Sequence, residues 1–124
     1  MPVVLKIDPR RRVVDSAFYG KVTDEELLGH RSTIASDPHF NPNFSEIVDF
    51  TAVTHLEVSD ATLAAMANTQ SLFSDSVRHI VVAPADLAFH LAGKYKLFAR
   101  DTRHNLLVVR TRVEAYRLLD IQPD

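Results

Sequence analysis

Asp49 is the first residue whose position in the chain could carry chemistry. It follows the apolar pair Ile47-Val48, where a phosphoacceptor aspartate would follow a buried strand. A phosphoacceptor domain also needs an acidic pair after its first strand and a lysine after its last strand. The chain has a lone Asp8 and then Arg110 at those two places. We therefore interpret Asp49 as a structural carboxylate that binds backbone amides at the end of a strand.

Ser59 lies where a strand pattern changes to a helix pattern, so it could accept a phosphate or cap the helix. A helix N-terminus stabilises a dianionic phosphate through its dipole and its free amides. However, Asp60 and the nearby Glu57 would repel that phosphate at short range. The Ser59 hydroxyl can instead accept a hydrogen bond from one of the free amides. We predict that Ser59 is a helix cap.

Several classes of active site lack their residues in this sequence. The chain has 3 glycines, and none belongs to a nucleotide-binding loop or a nucleophile elbow. It has no cysteine, which excludes disulfides, thiolate zinc sites and a cysteine nucleophile. No two histidines have the spacing that brings two imidazoles to one metal ion. We predict no metal, no cofactor and no catalysis, and we expect His30 and His90 on partly exposed helix faces.

The elements that position these residues follow from hydrophobic periodicity, turn chemistry and helix caps. Strands are predicted at Val3–Ile7, Val13–Tyr19, Phe44–Phe50, His79–Ala83 and Leu106–Val109. Helices are predicted to begin at Thr23, at Ser59-Asp60, at Pro84 and at Thr111. The order β-β-α-β-α-β-α-β-α predicts an α/β fold, with a single-layer mixed, mostly parallel five-stranded sheet and about four flanking helices. We expect one domain over residues 1–124.

Charge and hydropathy limit the environments in which the chain could act. The formal net charge of −2 gives no electrostatic reason to expect nucleic acid as a partner. No segment approaches the roughly 20 apolar residues of a membrane span. The first apolar run, Val3 to Leu5, is too short for the core of a signal peptide. We predict a cytoplasmic protein without a membrane span.

The stretch IVDFTAVTHLEVSDATL, residues 47–63, and the order of the elements together resemble the STAS family of anti-sigma-factor antagonist domains. The bacterial SpoIIAA-like group is more similar still, and the helix opening TDEELL at residues 23–28 is typical of it. The resemblance implies a small bacterial regulatory or protein-interaction module, which binds a protein partner or a second copy of itself as a homodimer. The implied interaction surface surrounds the start of the second helix and comprises Thr54, His55, Glu57, Ser59 and Asp60.

The resemblance also raises the question of phosphorylation. In phosphorylated STAS domains the acceptor is the first of two serines at the start of the second helix. The matching position here is Val58, which has no hydroxyl group. Control by the usual kinase is therefore not implied.

A second interpretation is a protein that binds a small apolar or lipid-like ligand. Open α/β sheets bind ligands beyond the carboxyl ends of their strands. The SpoIIAA-like fold also resembles CRAL-TRIO lipid-carrier domains. The candidate pocket residues at these strand ends are Asp49, Thr51, Asp86 and Arg110. The apolar stripe Leu87, Leu91, Tyr95 and Phe98 is typical of a helix packed on the core, but it could also form one wall of the pocket.

Overall fold

A computed structural model describes residues 2–123 and contains five strands and four helices. The strands are β1 (Val3–Asp8), β2 (Val13–Thr23), β3 (Ser45–Glu57), β4 (His79–Val82) and β5 (Leu106–Val109). The helices are α1 (Asp24–Ala35), α2 (Asp60–Asn68), α3 (Asp86–Phe98) and α4 (Arg112–Leu119). The strands form one sheet in the order β1-β2-β3-β4-β5, in which only β1 runs antiparallel to its neighbour. The predicted α/β fold class is confirmed.

Strands β2 and β3 are longer than predicted. Gly20 has a φ of +67°, and the register shifts beside it, so the strand bulges there and continues to Thr23. Parallel pairing with β3 continues as far as Glu57, whereas β4 pairs with β3 no further than Asp49. The prediction that the third strand ends near Phe50 is therefore wrong, and Asp49 lies in the middle of its strand.

Two helix boundaries also differ from the prediction. Helix α2 ends at Asn68, so Phe73, which was expected on that helix, lies in the following loop. Phe73 is nevertheless buried, because it packs edge-to-face against Phe40 and His79. Helix α3 begins at Asp86, two residues after Pro84. Proline therefore precedes the helix instead of occupying its first turn.

One face of the sheet, which we call the α4 face, is covered by α4 and the segment after it. Side chains alternate between the two faces along each strand. The α4 face carries a core of branched residues around the helix residue Ala115, namely Val13, Ile47, Ile80, Val82 and Val109. Helix α4 is capped by Thr111, whose Oγ1 accepts a hydrogen bond from the Glu114 amide at 3.3 Å. This face is closely packed.

The opposite face, which we call the α1–α3 face, is covered by the first three helices. Near the end of α1, Ile34 packs with Val14, Phe44 and Phe73. Helices α2 and α3 instead contribute alanines to the core, namely Ala67, Ala88 and Ala92. In residues 2–123 the model has no helix with both the length and the apolar content needed to cross a membrane.

Candidate functional site

A cavity of about 210 Å³ lies between the sheet and the helices of the α1–α3 face. Its lining is mainly apolar. The main apolar contributors are Phe18, Val48, Phe50 and Val81 from the sheet, and Leu27, Leu63, Leu91 and Ala92 from the helices. Several of these side chains are only half-buried, although they point into the fold from the middle of their elements. The α1–α3 face is therefore incompletely filled by the protein's own side chains.

The small side chains of α2 and α3 explain the cavity. Protein interiors normally pack as densely as organic crystals, with few voids larger than a water molecule. Ala88 and Ala92 line the cavity from α3, one helical turn apart, and each is less than a tenth exposed. A leucine at either position would reach further toward the sheet. The cavity thus follows from residue choice at two core positions.

A buried histidine forms the most polar part of the cavity wall near α1. His30 is 6% exposed, and its Nε2 lies 2.7 Å from Oγ of Ser16 on β2. Its ring also packs edge-to-face on Phe18, with centroids 5.1 Å apart. Burial holds the pKa of His30 below its ordinary value, and the nearby Glu46 carboxylate opposes that effect. His30 is therefore a neutral imidazole near pH 7, and the prediction that it lies on a partly exposed face is wrong.

Three other polar groups line the same cavity and already have partners. Glu46 Oε1 lies 2.8 Å from His79 Nδ1 on the neighbouring strand. The pKa of Tyr95 is raised by burial of its hydroxyl, and its interaction with Arg103 opposes the rise. Arg103 donates to the Thr69 carbonyl at the end of α2 at 2.8 Å. The cavity is thus an apolar space crossed by a few paired polar groups.

The four pocket residues predicted from the sequence lie elsewhere. Asp49 accepts hydrogen bonds from the amide and the hydroxyl of Thr51 at 2.8 and 2.5 Å, and its side chain belongs to the α4 face. Asp86 pairs with Arg110 at 2.9 Å on the surface, where the Arg110 guanidinium also stacks 3.8 Å from the Phe89 ring centroid. None of the four predicted residues lines the observed cavity. The predicted pocket and the observed cavity are different places.

The apolar stripe of α3 has two different environments. Leu91 and Tyr95 line the cavity. Leu87 and Phe98, at the two ends of the stripe, are 55% and 38% exposed. The interpretation that the whole stripe packs on the core is therefore wrong, and its middle forms a cavity wall instead.

The predicted interaction surface is exposed and continuous along the chain from the end of β3 into α2. Glu57 pairs with Lys21 at 3.4 Å and Asp60 with Lys94 at 2.9 Å, while His55 Nδ1 lies 3.2 Å from its neighbour Thr54. The residue before the helix cap, Val58, lines the cavity.

Ser59 caps helix α2, as predicted. Its Oγ accepts a hydrogen bond from the Thr62 amide at 3.2 Å. The same hydroxyl donates to Asp24 Oδ2 at 3.0 Å, and the Ser59 amide donates to Asp24 Oδ1 at 2.9 Å. These bonds hold the pKa of Asp24 below its usual range, mainly through the amide bond. Ser59 therefore joins the first turns of α1 and α2.

An ion cluster on the α4 face was not anticipated from the sequence. Arg112, the first residue of α4, donates to Asp15 at 2.5 Å and to Asp49 at 2.7 Å. Its Nε also donates to the Tyr116 hydroxyl at 2.9 Å. The two carboxylates are buried, and their bonds to the guanidinium raise the pKa of Arg112 against the effect of burial. This cluster fastens α4 to the two central strands.

The sequence contains signals for the residues that were missed. His30 lies three residues after Leu27 and four before Ile34, within the apolar stripe of its helix. Ser16 and Glu46 likewise interrupt strands that are otherwise apolar on that face. A polar residue at a core position of an amphipathic pattern indicates either a buried hydrogen bond or a functional group. Among residues 2–123, no three histidine, aspartate or glutamate side chains are close enough to hold a metal ion.

Comparison with known proteins identifies no relative of this chain. No protein-family model matches it, and no curated protein matches it. The STAS resemblance therefore stays a prediction.

Proposed function

We propose that this protein is a non-catalytic binding protein for a small, mostly apolar ligand, which occupies the cavity of the α1–α3 face. The observation that carries the proposal is the 210 Å³ of apolar-lined space beneath α1, α2 and α3. Small-molecule sites are characteristically concave and mainly apolar, with a few polar groups that orient the ligand. The cavity has this composition.

Its volume limits the size of the ligand. An apolar cavity of about 150 Å³ holds benzene. By proportion, 210 Å³ accommodates about eight or nine heavy atoms. A single aromatic ring with a short substituent, or a medium-length chain, has this size, whereas a two-chain lipid is far larger. This narrows the lipid-like ligand expected from the sequence to a small compound.

The energetic cost of such a cavity supports a functional role. A void left in a protein core costs roughly 24 cal/mol per Å³, so 210 Å³ corresponds to at most about 5 kcal/mol. Whole domains are stable by only about 5–15 kcal/mol. Larger residues at Ala88 or Ala92 would recover part of that stability. Sites that bind ligands commonly keep such a deficit because filling them would abolish binding.

The test compares two alanine-to-leucine substitutions. Ala92→Leu adds three carbon atoms to the cavity wall, whereas Ala65→Leu adds the same atoms to an exposed position of α2. Both are titrated by calorimetry with 4-ethylphenol, a nine-heavy-atom probe. We expect the wild-type chain and Ala65→Leu to bind it, and Ala92→Leu to bind it at least tenfold more weakly. Equal binding by both variants, or no binding by the wild-type chain, contradicts the proposal.

The regulatory interaction module implied by the STAS resemblance is the second proposal. The exposed surface from Thr54 to Asp60 supports it, because surface side chains there are available to a partner protein or a second copy. Native mass spectrometry of protein purified from its source separates the two proposals. A small added mass supports the ligand, and a discrete homodimer or complex supports the module. A cytoplasmic location remains a prediction.

A further inference from the structure

His30 contains a buried polar atom that has no partner. Its Nε2 pairs with Ser16, but Nδ1 has no hydrogen-bond partner among residues 2–123. Leaving a buried donor or acceptor unsatisfied costs about 1–3 kcal/mol. Such a group in a native structure calls for an explanation, and an unrepresented partner is one of the usual ones. Because His30 lines the cavity, the cavity is where that partner would be bound.

We infer that the ligand carries an uncharged hydroxyl group, which hydrogen-bonds His30 Nδ1 while the rest of the ligand occupies the apolar part of the cavity. This inference rests on the proposed function, and it adds the chemical class of the ligand: a small apolar alcohol or phenol.

A hydroxyl suits His30 in either of its neutral tautomers. If the Ser16 hydroxyl donates to Nε2, then Nδ1 carries the proton and needs an acceptor. If Nε2 carries the proton and donates to Ser16, then Nδ1 is an acceptor and needs a donor. A hydroxyl is both a donor and an acceptor, whereas a carboxylate only accepts and an ammonium only donates.

The charged groups in the wall give little support to a charged ligand. Glu46 is already paired with His79 at 2.8 Å. Arg103 is occupied with carbonyl groups at the end of α2, including Thr69. The remaining guanidinium in the lining, that of Arg31, belongs to an exposed residue and donates to the Gln70 carbonyl at 3.2 Å. An ion buried beside His30 would therefore lose its hydration without gaining a dedicated counter-ion.

The test uses probes of one shape that differ in a single group. 4-Ethylphenol and 4-ethyltoluene differ by a hydroxyl against a methyl group, and 4-methylbenzoate and 4-methylbenzylamine supply the two charges. For the wild-type chain at neutral pH, we expect 4-ethylphenol to bind about 3- to 10-fold more tightly than 4-ethyltoluene, the ratio for one net hydrogen bond. Both ions should bind more weakly than the phenol. Tighter binding of either ion overturns the inference.

Variants assign the preference to one side chain. In the double variant Ser16→Ala/His30→Phe, phenylalanine keeps the ring that packs on Phe18, and alanine avoids an orphaned hydroxyl. We expect it to bind the phenol and the toluene within about twofold of each other, where the hydrogen-bond preference is lost. Tyr95→Phe is the control: it removes another hydroxyl in the cavity wall and should keep the wild-type preference.

The outcomes separate this inference from the proposed function. If the uncharged probes bind but the phenol preference is missing, or survives in the double variant, the hydroxyl inference fails and the binding function stands. If no probe binds the wild-type chain, both fail. Should the double variant not fold, the ¹⁵N signals of His30 in the wild-type chain decide. They must shift with 4-ethylphenol and stay unchanged with 4-ethyltoluene.

Discussion

Replacing Arg112 with methionine should destabilise the protein strongly. Methionine keeps a straight apolar stem but removes the guanidinium that joins Asp15 to Asp49. The side chains of these two aspartates are only 12% and 7% exposed. Without Arg112 they would be two buried carboxylates on neighbouring strands with no counter-ion. Each would lose hydrogen bonds, and the two negative charges would repel each other.

The expected size of the loss follows from this burial. Removing one partner of a buried ion pair costs about 3–5 kcal/mol. The Arg112 side chain is itself 30% exposed, so water partly reaches the cluster. We therefore expect a value near the lower limit, about 3 kcal/mol.

The assay is urea unfolding followed by circular dichroism, and Arg110→Met is the matched control. Arg110 lies two residues earlier and pairs with Asp86, but those side chains are 43% and 98% exposed. An exposed ion pair contributes about 0–1 kcal/mol, and the stacking of Arg110 on Phe89 adds up to about 1 kcal/mol. We therefore expect the control to lose clearly less free energy of unfolding than Arg112→Met.

A further variant tests the cause of the loss. Adding Asp15→Asn and Asp49→Asn to Arg112→Met removes both buried charges, so it should recover most of the lost stability. The reasoning is refuted if Arg112→Met and Arg110→Met unfold at the same urea concentration. It is also refuted if the two asparagines recover nothing.

Three further substitutions test the fold and the cavity. Ser59→Ala should lower the free energy of unfolding by about 1 kcal/mol through loss of the α2 cap, whereas Thr54→Ala on the same surface should leave it nearly unchanged; equal values would contradict the cap. Because burial lowers the pKa of His30, the unfolded chain takes up the proton first as the pH falls below about 6.5. The stability that depends on neutral His30 is therefore complete above that pH and is lost as the pH falls toward the folded-state pKa. His30→Phe should flatten this decline in chemical unfolding, and an unchanged slope would argue against it. Gly20→Ala should destabilise by about 1 kcal/mol because φ is +67°, whereas Gly29→Ala within α1 should stabilise by about 0.5–1 kcal/mol; thermal melts that shift in the same direction for both would be inconsistent with this.

Much of the fold could be predicted from the sequence because local signals agree with one another. Thr111 and Ser59 precede apolar periodic segments, and both cap helices in the structure. The apolar runs His79–Val82 and Leu106–Val109 lie within the parallel part of the sheet. The extension of β3 to Glu57 was missed, because Thr51 to Glu57 contains many polar residues and gains its strand structure by pairing with β2. Long-range pairing of that kind has no local signal.

The candidate site could not be predicted in the same way. A cavity depends on how far side chains from different elements reach toward each other. The sequence shows Ala88 and Ala92 as ordinary helix-forming residues, and only their packing above Val81 reveals unfilled space. Asp49 illustrates the opposite error. Its type and its position after Val48 suggested a strand-end group, but pairing distant in sequence places it beside Arg112 in the middle of β3.

The two faces of the sheet divide stability and binding between them. On the α4 face, branched side chains fill the core and Arg112 fastens the helix to two strands. On the α1–α3 face, α1 has only two buried residues, His30 and Ile34, and the first of these has an unsatisfied nitrogen. A ligand that fills the cavity and pairs with that nitrogen would stabilise the less well-packed face. Because such a ligand binds only the folded chain, its affinity adds directly to the free energy of unfolding. The residues that weaken the packing of this face are therefore the same ones that make binding favourable.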